Sequence, residues 1–323
     1  MSKILVAGGA GYIGSHTVKE LRKQGFDVLV FDDLSTGRRE FVRDAELVVG
    51  ELEDKDAVGA LFRTHDIAAV LHFASLIQVG ESYIHPQRYY TQNLSSSLNL
   101  LEAMLKAKVK TFIFSSSAAV YGVPQRIPIP EDHPLNPINP YGFTKFFVEQ
   151  ILRDYDRAYK LRFISLRYFN ASGADPDGEM GECHDPESHL IPNVMLAALG
   201  KKERLDIYGT DFQTPDGTAI RDYIHVTDLA AAHVLALRRL LEKPQSEFIN
   251  LGTNQGYSVR EVIARAERII GRTVPVRMQS RREGDVPVLL ASKEKAERLL
   301  GWTLRYSDLD TIIRTAWDWH RKA

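Results

Sequence analysis

"ILVAGGAGYIGSH", residues 4–16, decides the fold. Ile4–Ala7 is a short apolar run, and Gly8, Gly11 and Gly14 follow it at three-residue spacing. Ile13, Val18 and Leu21 then recur at helical spacing until Gly25 ends the pattern. A strand that runs through a glycine turn into a helix is a phosphate cradle: the glycines let the backbone approach a pyrophosphate, and the helix N-terminus attracts its charge. "FDD" closes the next apolar run, with Asp32 18 residues beyond Gly14. A carboxylate there accepts hydrogen bonds from an adenosine ribose and repels a 2′-phosphate, which predicts NAD over NADP even with Arg38 and Arg39 nearby.

Outward from this turn the first half repeats one rhythm. The expected strands are Ile4–Ala7, Val28–Phe31, Leu47–Val49, Ala69–Phe73, Thr111–Phe114 and Phe163–Leu166, with helical patterns between them, one of them carrying Leu94, Leu98, Leu101 and Leu105. Most of these runs are apolar throughout, which marks strands covered on both faces, as in a parallel sheet. The fold class expected is α/β: a doubly wound Rossmann domain over residues 1–168, with ligands at the carboxyl ends of its strands. Residues 169–323 are expected to form a smaller α/β substrate-binding lobe, parts of which may return to the first domain. Loops are expected at 170–189, 208–217 and 280–287, helices at Leu229–Leu241, Val259–Ile270 and Leu309–His320, and a strand at Phe248–Leu251.

With 323 residues, 44% apolar and 26% charged, the composition is ordinarily globular. A formal net charge of −1 suggests no nucleic-acid or anionic-membrane partner. No apolar run approaches the roughly 18 residues needed to span a bilayer. The single cysteine, Cys183, cannot form an intramolecular disulfide, and "MSKILVAGG" has no signal-peptide h-region, so a cytoplasmic location is expected.

"NPYGFTK", residues 139–145, raises the chemistry. Pro140 suits the first turn of a helix and Asn139 its N-cap. Tyr141 and Lys145 then share one face at i and i+4. A free phenol, with a pKa of about 10, is only about 0.1% ionised at pH 7. A nearby ammonium and an oxidised nicotinamide would favour the phenolate, fitting it to take a proton from a substrate hydroxyl as hydride leaves the same carbon. "SSSAAVYG", residues 115–122, ends the fifth strand and offers the hydroxyl that would hold that oxygen.

These motifs, together with "LHFASLIQVGES", "LRYFNASGA", "DGTAIRDYIHVTDLA", "INLGT" and "RREGDVP", run through nearly the whole chain. The set resembles the extended short-chain dehydrogenase/reductase superfamily and, within it, the nucleotide-sugar 4-epimerases. The resemblance implies an NAD-dependent 4-epimerase acting on UDP-glucose and UDP-galactose through a transient 4-keto sugar. It implies Tyr141 as base, Lys145 as the residue that tunes it and holds the nicotinamide ribose, and Ser117 as partner of the 4-hydroxyl. The implied cofactor contacts are Gly8, Gly11, Tyr12, Ile13, Gly14, Asp32, Asp33, Glu51, Leu52, Phe73, Ala74, Asn93, Ser115 and Tyr168, besides Tyr141 and Lys145. For the UDP-sugar they are Asn170, Leu190, Tyr208, Arg221, Arg282, Asp285 and Leu289 with Ser117 and Tyr141, and Phe212 lies in the loop around the uracil. Arginine suits a diphosphate because its fork donates two hydrogen bonds at fixed geometry. A homodimer through the helices near 88–107 and 141–157 is also implied.

Two positions depart from the family pattern: Ile77 replaces a common lysine, and Glu51 a common aspartate. Leu289 stands where the family sets tolerance of an N-acetyl group, and predicts limited activity on UDP-N-acetylhexosamines; UDP-pentoses are a further alternative. A 4,6-dehydratase would need an acid and a base where this chain has Ala118 and Ala119. A non-catalytic dinucleotide sensor would tend to lack the tyrosine or the lysine. In "CHDPESH", residues 183–189, Cys183, His184, Asp185 and His189 match no known zinc spacing, so the stretch is read as a loop without metal. His225 is read as a packed residue, with Thr227 or Asp228 capping the helix after it.

Overall fold

The computed structural model describes residues 2–282 and 284–322. Six strands alternate with helices in the first half: β1 Lys3–Ala7, β2 Val28–Asp32, β3 Glu46–Val49, β4 Ile67–His72, β5 Thr111–Ser115 and β6 Arg162–Tyr168, with α1 Tyr12–Lys23, α2 Lys55–Thr64, α3 Val79–Ile84, α4 Pro86–Lys106 and α5 Pro140–Tyr159. The strands reproduce the apolar runs to within a residue or two. The short α3 was not expected from the sequence; its six residues are too few to show a helical period.

The second half contributes β7 Asn170–Ser172, α6 Leu190–Ala198, β8 Leu205–Tyr208, β9 Ile220–Arg221, β10 Tyr223–His225, α7 Val226–Glu242 and β11 Glu247–Leu251. It continues through β12 Tyr257–Ser258, α8 Val259–Ile270, β13 Val276–Gln279, β14 Val288–Leu289, α9 Glu294–Leu300 and α10 Leu309–His320. Strand β11 pairs in parallel with β6 and completes a seven-stranded sheet in the order β11-β6-β5-β4-β1-β2-β3. The chain therefore crosses back into the large sheet after residue 168.

Two apolar layers cover this sheet. On one face Val18 and Leu21 of α1 pack with Leu229, Leu237 and Leu240 of α7. On the other, Leu61 of α2, Leu101 and Met104 of α4, and Val148 and Leu152 of α5 fill the space. That explains why β1 and β2 carry apolar residues at consecutive positions. A third core joins Ile191 and Val194 of α6, Val262 of α8 and Ile312 of α10, and forms the smaller lobe.

The sheet order reverses between β1 and β4, and there the strand ends diverge and open a crevice. The glycine turn after β1, the Phe73–Ala74 segment after β4 and Ser115–Ser117 after β5 all reach its rim. One expectation about the lobe needs correction. Neither Thr227 nor Asp228 caps α7: the buried His225 does so itself, its Nδ1 accepting from the Thr227 N–H at 3.1 Å. The Asp228 carboxylate turns instead to the Arg305 and Tyr306 N–H groups and the Ser307 hydroxyl, tying α7 to the chain before α10.

Candidate active site

Close backbone approach explains the glycine turn. Gly8 has φ +79, and a Cβ there would lie 2.5 Å from the Ala74 nitrogen; at Gly14 it would lie 2.1 Å from the Gly8 oxygen. Gly11 is the N-cap of α1 and offers no side chain to its first turn, which also carries no acidic residue. Those N–H groups therefore face the crevice with an uncompensated positive end of the helix dipole, which suits a pyrophosphate. Tyr12 and Ile13 open the helix, and the Tyr12 hydroxyl donates to the Gly173 carbonyl at 2.6 Å, joining the turn to the second half of the chain.

Asp32 ends β2 with its carboxylate buried. It accepts from the Ala10 and Leu34 N–H groups, both at 2.9 Å, and burial still raises its pKa above the usual carboxylate value. It is held against the glycine turn, where a dinucleotide's adenosine ribose would sit, so the residues present fit NAD. Asp33 is exposed and folds back on Ser35. Glu51 is exposed beside Gly50, whose N–H donates to the Asp32 carbonyl, while the Leu52 carbonyl is held by Asn99. Phe73 packs on the His233 ring with centroids 4.7 Å apart. Asn93 brackets the backbone of Leu76, accepting from its N–H at 2.8 Å and donating to its carbonyl at 3.1 Å, and it also donates to Thr144 of α5. It positions the loop after β4 from below. Ile77, in that loop, is 38% exposed.

The reactive groups lie at the start of α5. Asn139 caps the helix, its Oδ1 accepting from the Gly142 N–H at 2.7 Å, with Pro140 in the first turn. A Cβ on Gly142 would be 2.8 Å from the Ala119 carbonyl, so glycine is what lets the helix start press against the end of β5. This contact brings Tyr141 beside Ser117, which acts to lower the phenol's pKa. The Ser117 oxygen also accepts from the Ala119 N–H, fixing the 3-10 turn Ala118–Tyr121.

Lys145, one turn on, is 4% exposed; its Nζ donates to the Ser115 carbonyl at 2.9 Å and lies 5.8 Å from the Tyr141 ring centroid. Burial drives its pKa down to about 7. Burial also holds the Tyr141 phenol above its ordinary value, with Ser117 pulling the other way. The sequence reading had Lys145 lowering the phenol. That reading also counted the charge of an oxidised nicotinamide; in the protein alone, burial sets the direction. Tyr168 is buried beside them, sharing a hydrogen bond of 2.5 Å with the Ser115 hydroxyl.

Beneath this surface lies a network the sequence reading missed. Glu149 and Arg167 are 0% and 1% exposed and form a two-pronged ion pair, Nε–Oε1 2.9 Å and Nη2–Oε2 2.6 Å. Glu149 also accepts from the Ser116 and Ser165 hydroxyls, and Arg167 donates to Tyr121, which donates to Asn250. The legible signal was the i+4 spacing of Lys145 and Glu149, which puts both on the buried face of α5.

A second cluster comes from the lobe. Arg282 pairs with Asp285 at 3.0 Å and stacks over Tyr208 at 4.8 Å. Arg221 is largely buried, 3.8 Å from Asp285 and level in register with Leu289. Asn170 donates to the Asp222 carbonyl at 2.9 Å. A Cβ on Gly284 would meet the Tyr83 hydroxyl at 2.7 Å and Ile138 at 3.8 Å, so this loop abuts the chain just before Asn139. Phe212 is buried under Arg281 rather than open to the crevice. Leu190 opens α6, half-buried against the lobe core.

Residues 4–252 match the model of the NAD dependent epimerase/dehydratase family. The chain belongs to that family. Its relatives include a UDP-glucose 4-epimerase of Rhizobium leguminosarum bv. trifolii, 48% identical over 99% of this chain and 98% of that one. Among solved structures of the family, the UDP-glucose 4-epimerase of Brucella ovis in complex with NAD is 51% identical, with a TM-score of 0.95 over 98% of both chains. The enzyme of Bifidobacterium longum in complex with NAD+ and UDP is 39% identical, with a TM-score of 0.94 over 99% of this chain and 98% of that one.

Proposed function

We propose that this chain is an NAD-dependent UDP-glucose 4-epimerase, an isomerase that interconverts UDP-glucose and UDP-galactose. The observation that carries this reading is the placement of Tyr141 beside Ser117 at the start of α5, with Lys145 buried one turn on and bonded to the Ser115 carbonyl.

The glycine turn and Asp32 would hold NAD, which would supply a reversible hydride acceptor for C4 of the sugar. The chain's own residues handle the proton and the position. Ser117 hydrogen-bonds the 4-oxygen and sets it against the phenol. Tyr141 takes the 4-hydroxyl proton as the carbon is oxidised and gives it back on reduction. The protonated fraction of Lys145 favours the phenolate and holds the nicotinamide ribose. Arg221, Arg282 and Asp285 hold the diphosphate, and Tyr208 covers the uracil. Remote anchoring retains the 4-keto sugar while it turns, which permits both faces to be presented without release.

The methyl groups of Ala118 and Ala119 move no protons, which favours epimerisation over 4,6-dehydration. Leu289, beside Arg221, favours hexoses without an N-acetyl group; turnover of UDP-N-acetylglucosamine equal to that of UDP-glucose would overturn this preference. Residues 1–168 form most of the cofactor portion, completed by α7 and β11, and the remaining chain forms most of the sugar portion.

A homodimer through α4 and α5 is supported by the exposure of Leu98 and Phe147, each at 39%, with Tyr90 beside Phe147. Sedimentation at micromolar concentration should give twice the chain mass. A cytoplasmic location is supported by the single cysteine, and among the described residues no helix is long and apolar enough to cross a membrane. The deciding experiment for activity is incubation of purified protein with UDP-galactose and no added nucleotide. Formation of UDP-glucose is expected; no conversion, even after NAD is supplied, refutes the proposal.

A further inference from the structure

The stretch 181–189 gathers side chains that the sequence pattern did not pair. Asp185 is exposed and Cys183 stands apart, but Glu182, His184, Glu187 and His189 each present one ligand atom, all within 4.8 Å of one another. His184 Nδ1 lies 3.1 Å from Glu182 Oε1 and 3.8 Å from Glu187 Oε2. His189 Nδ1 contacts the same Glu182 oxygen and lies 4.0 Å from Glu187 Oε1. Glu182 and Glu187 are buried, with side chains 2% and 7% exposed. The His184 Nδ1 atom is buried without a hydrogen-bond partner, although it points into this cluster.

We propose that Glu182, His184, Glu187 and His189 form a binding site for a divalent transition-metal ion of the zinc type. Ligand bonds of about 2.0–2.1 Å in a tetrahedron place ligand atoms about 3.3 Å apart; the four ligand atoms lie within 4.8 Å of one another, so side-chain adjustments of an ångström or so bring them to that spacing. Two imidazole nitrogens with two carboxylates suit zinc and its neighbours, whereas Mg²⁺ and Ca²⁺ take oxygen shells. A dication would also offset the charge of the two buried carboxylates, Glu182 and Glu187.

The groups behind the ligands are held. The Ser188 and His189 N–H groups both donate to Glu187 Oε1 at 2.8 Å, leaving its other oxygen toward His184. Asn193 donates to the Glu187 and His189 carbonyls, and Trp319 to that of Glu182. Such outer partners fix ligand orientation. With four protein ligands the site is closed, which is the structural rather than the catalytic arrangement. It clamps the loop before α6, and the His184 ring meets Tyr12 of the glycine turn edge-on at 6.4 Å. The ion would thus tie the lobe to the cofactor turn.

The test uses the full chain, stripped with a chelator and titrated with Zn²⁺ by calorimetry and with Co²⁺ by visible absorption. One equivalent per chain is expected, with the strong visible bands of four-coordinate Co²⁺ and a higher unfolding temperature on Zn²⁺ loading. The His184→Asn/His189→Asn variant should bind about 100-fold more weakly or not at all, with unchanged circular dichroism, while His85→Asn at an exposed position retains binding. If the double variant does not fold, the Co²⁺ spectrum of the unaltered chain decides alone. No stoichiometric binding by the unaltered chain, or equal binding by the folded double variant, overturns the proposal and leaves the cluster as ion pairs.

Discussion

Replacing Lys145 with methionine should stabilise this protein at neutral pH while destroying its activity. Lys145 is 4% exposed, and burial lowers its pKa from 10.5 to about 7. At 1.36 kcal/mol per pH unit, that fall corresponds to about 5 kcal/mol by which the folded state disfavours the ammonium. Methionine has similar length and no charge to desolvate. Its substitution forfeits the bond from Nζ to the Ser115 carbonyl, 2.9 Å long, which is worth about 1.5–3 kcal/mol. The difference leaves the variant about 2 kcal/mol more stable at pH 7.

The sign of the pH dependence follows from the same numbers. Because the folded pKa lies below the unfolded one, the unfolded chain binds more protons between about 7 and 10.5, and wild-type stability rises with pH through that window. The penalty is complete below about 7 and fades toward 10.5. Urea unfolding of nucleotide-free protein at pH 7 and pH 9.5 measures it: the advantage of Lys145→Met should shrink to nothing or reverse at the higher pH. A variant less stable than wild type at pH 7, or an advantage independent of pH, would refute the reasoning. Loss of turnover in a more stable protein would mark Lys145 as a residue retained for chemistry against stability.

Tyr141→Phe removes the proton acceptor and keeps the ring; turnover of UDP-galactose should fall by about 10²–10⁴ while bound NAD, read by absorbance of the denatured extract, is unchanged. Glu149→Gln leaves Arg167 buried without its counter-charge and should cost about 3–5 kcal/mol of stability in urea unfolding; a loss under about 1 kcal/mol would show that the pair does not hold the end of β5 in place. Gly14→Ala sets a Cβ 2.1 Å from the Gly8 oxygen, so protein purified with this change should carry little dinucleotide, and full retention would contradict the cradle geometry.

The large sheet was legible because parallel strands covered on both faces are apolar at every position, and the glycine turn marks where the first one ends. The return of β11 to that sheet was not fixed by its sequence, since Phe248–Leu251 fits a strand in either part of the chain; only pairing with β6 places it. At the site, Tyr141 and Lys145 were legible from a helical spacing that the Asn139 cap pins in register. What the residues did not disclose was burial. Spacing alone gives no measure of desolvation, which raises the pKa of the Tyr141 phenol in the protein alone. Glu149 and Arg167, on α5 and β6, give no sign in the sequence of their mutual pairing, which only the packing of α5 on the sheet brings about.

The distribution of those buried charges has a consequence for the chemistry. Lys145, Glu149 and Arg167 all lie buried beneath one strand end, Lys145 held by the Ser115 carbonyl and Glu149 by Ser116, Ser165 and Arg167. Moving the Ser115–Ser117 segment would break the Glu149 contact to Ser116 and the Lys145 contact to Ser115 together, leaving the buried Lys145 without an acceptor. Ser117 and Tyr141, the proposed oxygen holder and proton acceptor, therefore sit on a rigid floor, whereas the proposed diphosphate clamp stands on exposed arms such as Arg282, 56% exposed. An epimerase needs that division. The reacting atoms must return to the same geometry on both passes, while the sugar swings about a tether that gives. Rigidity under the phenol and compliance at the diphosphate let one constellation serve both faces of the ring.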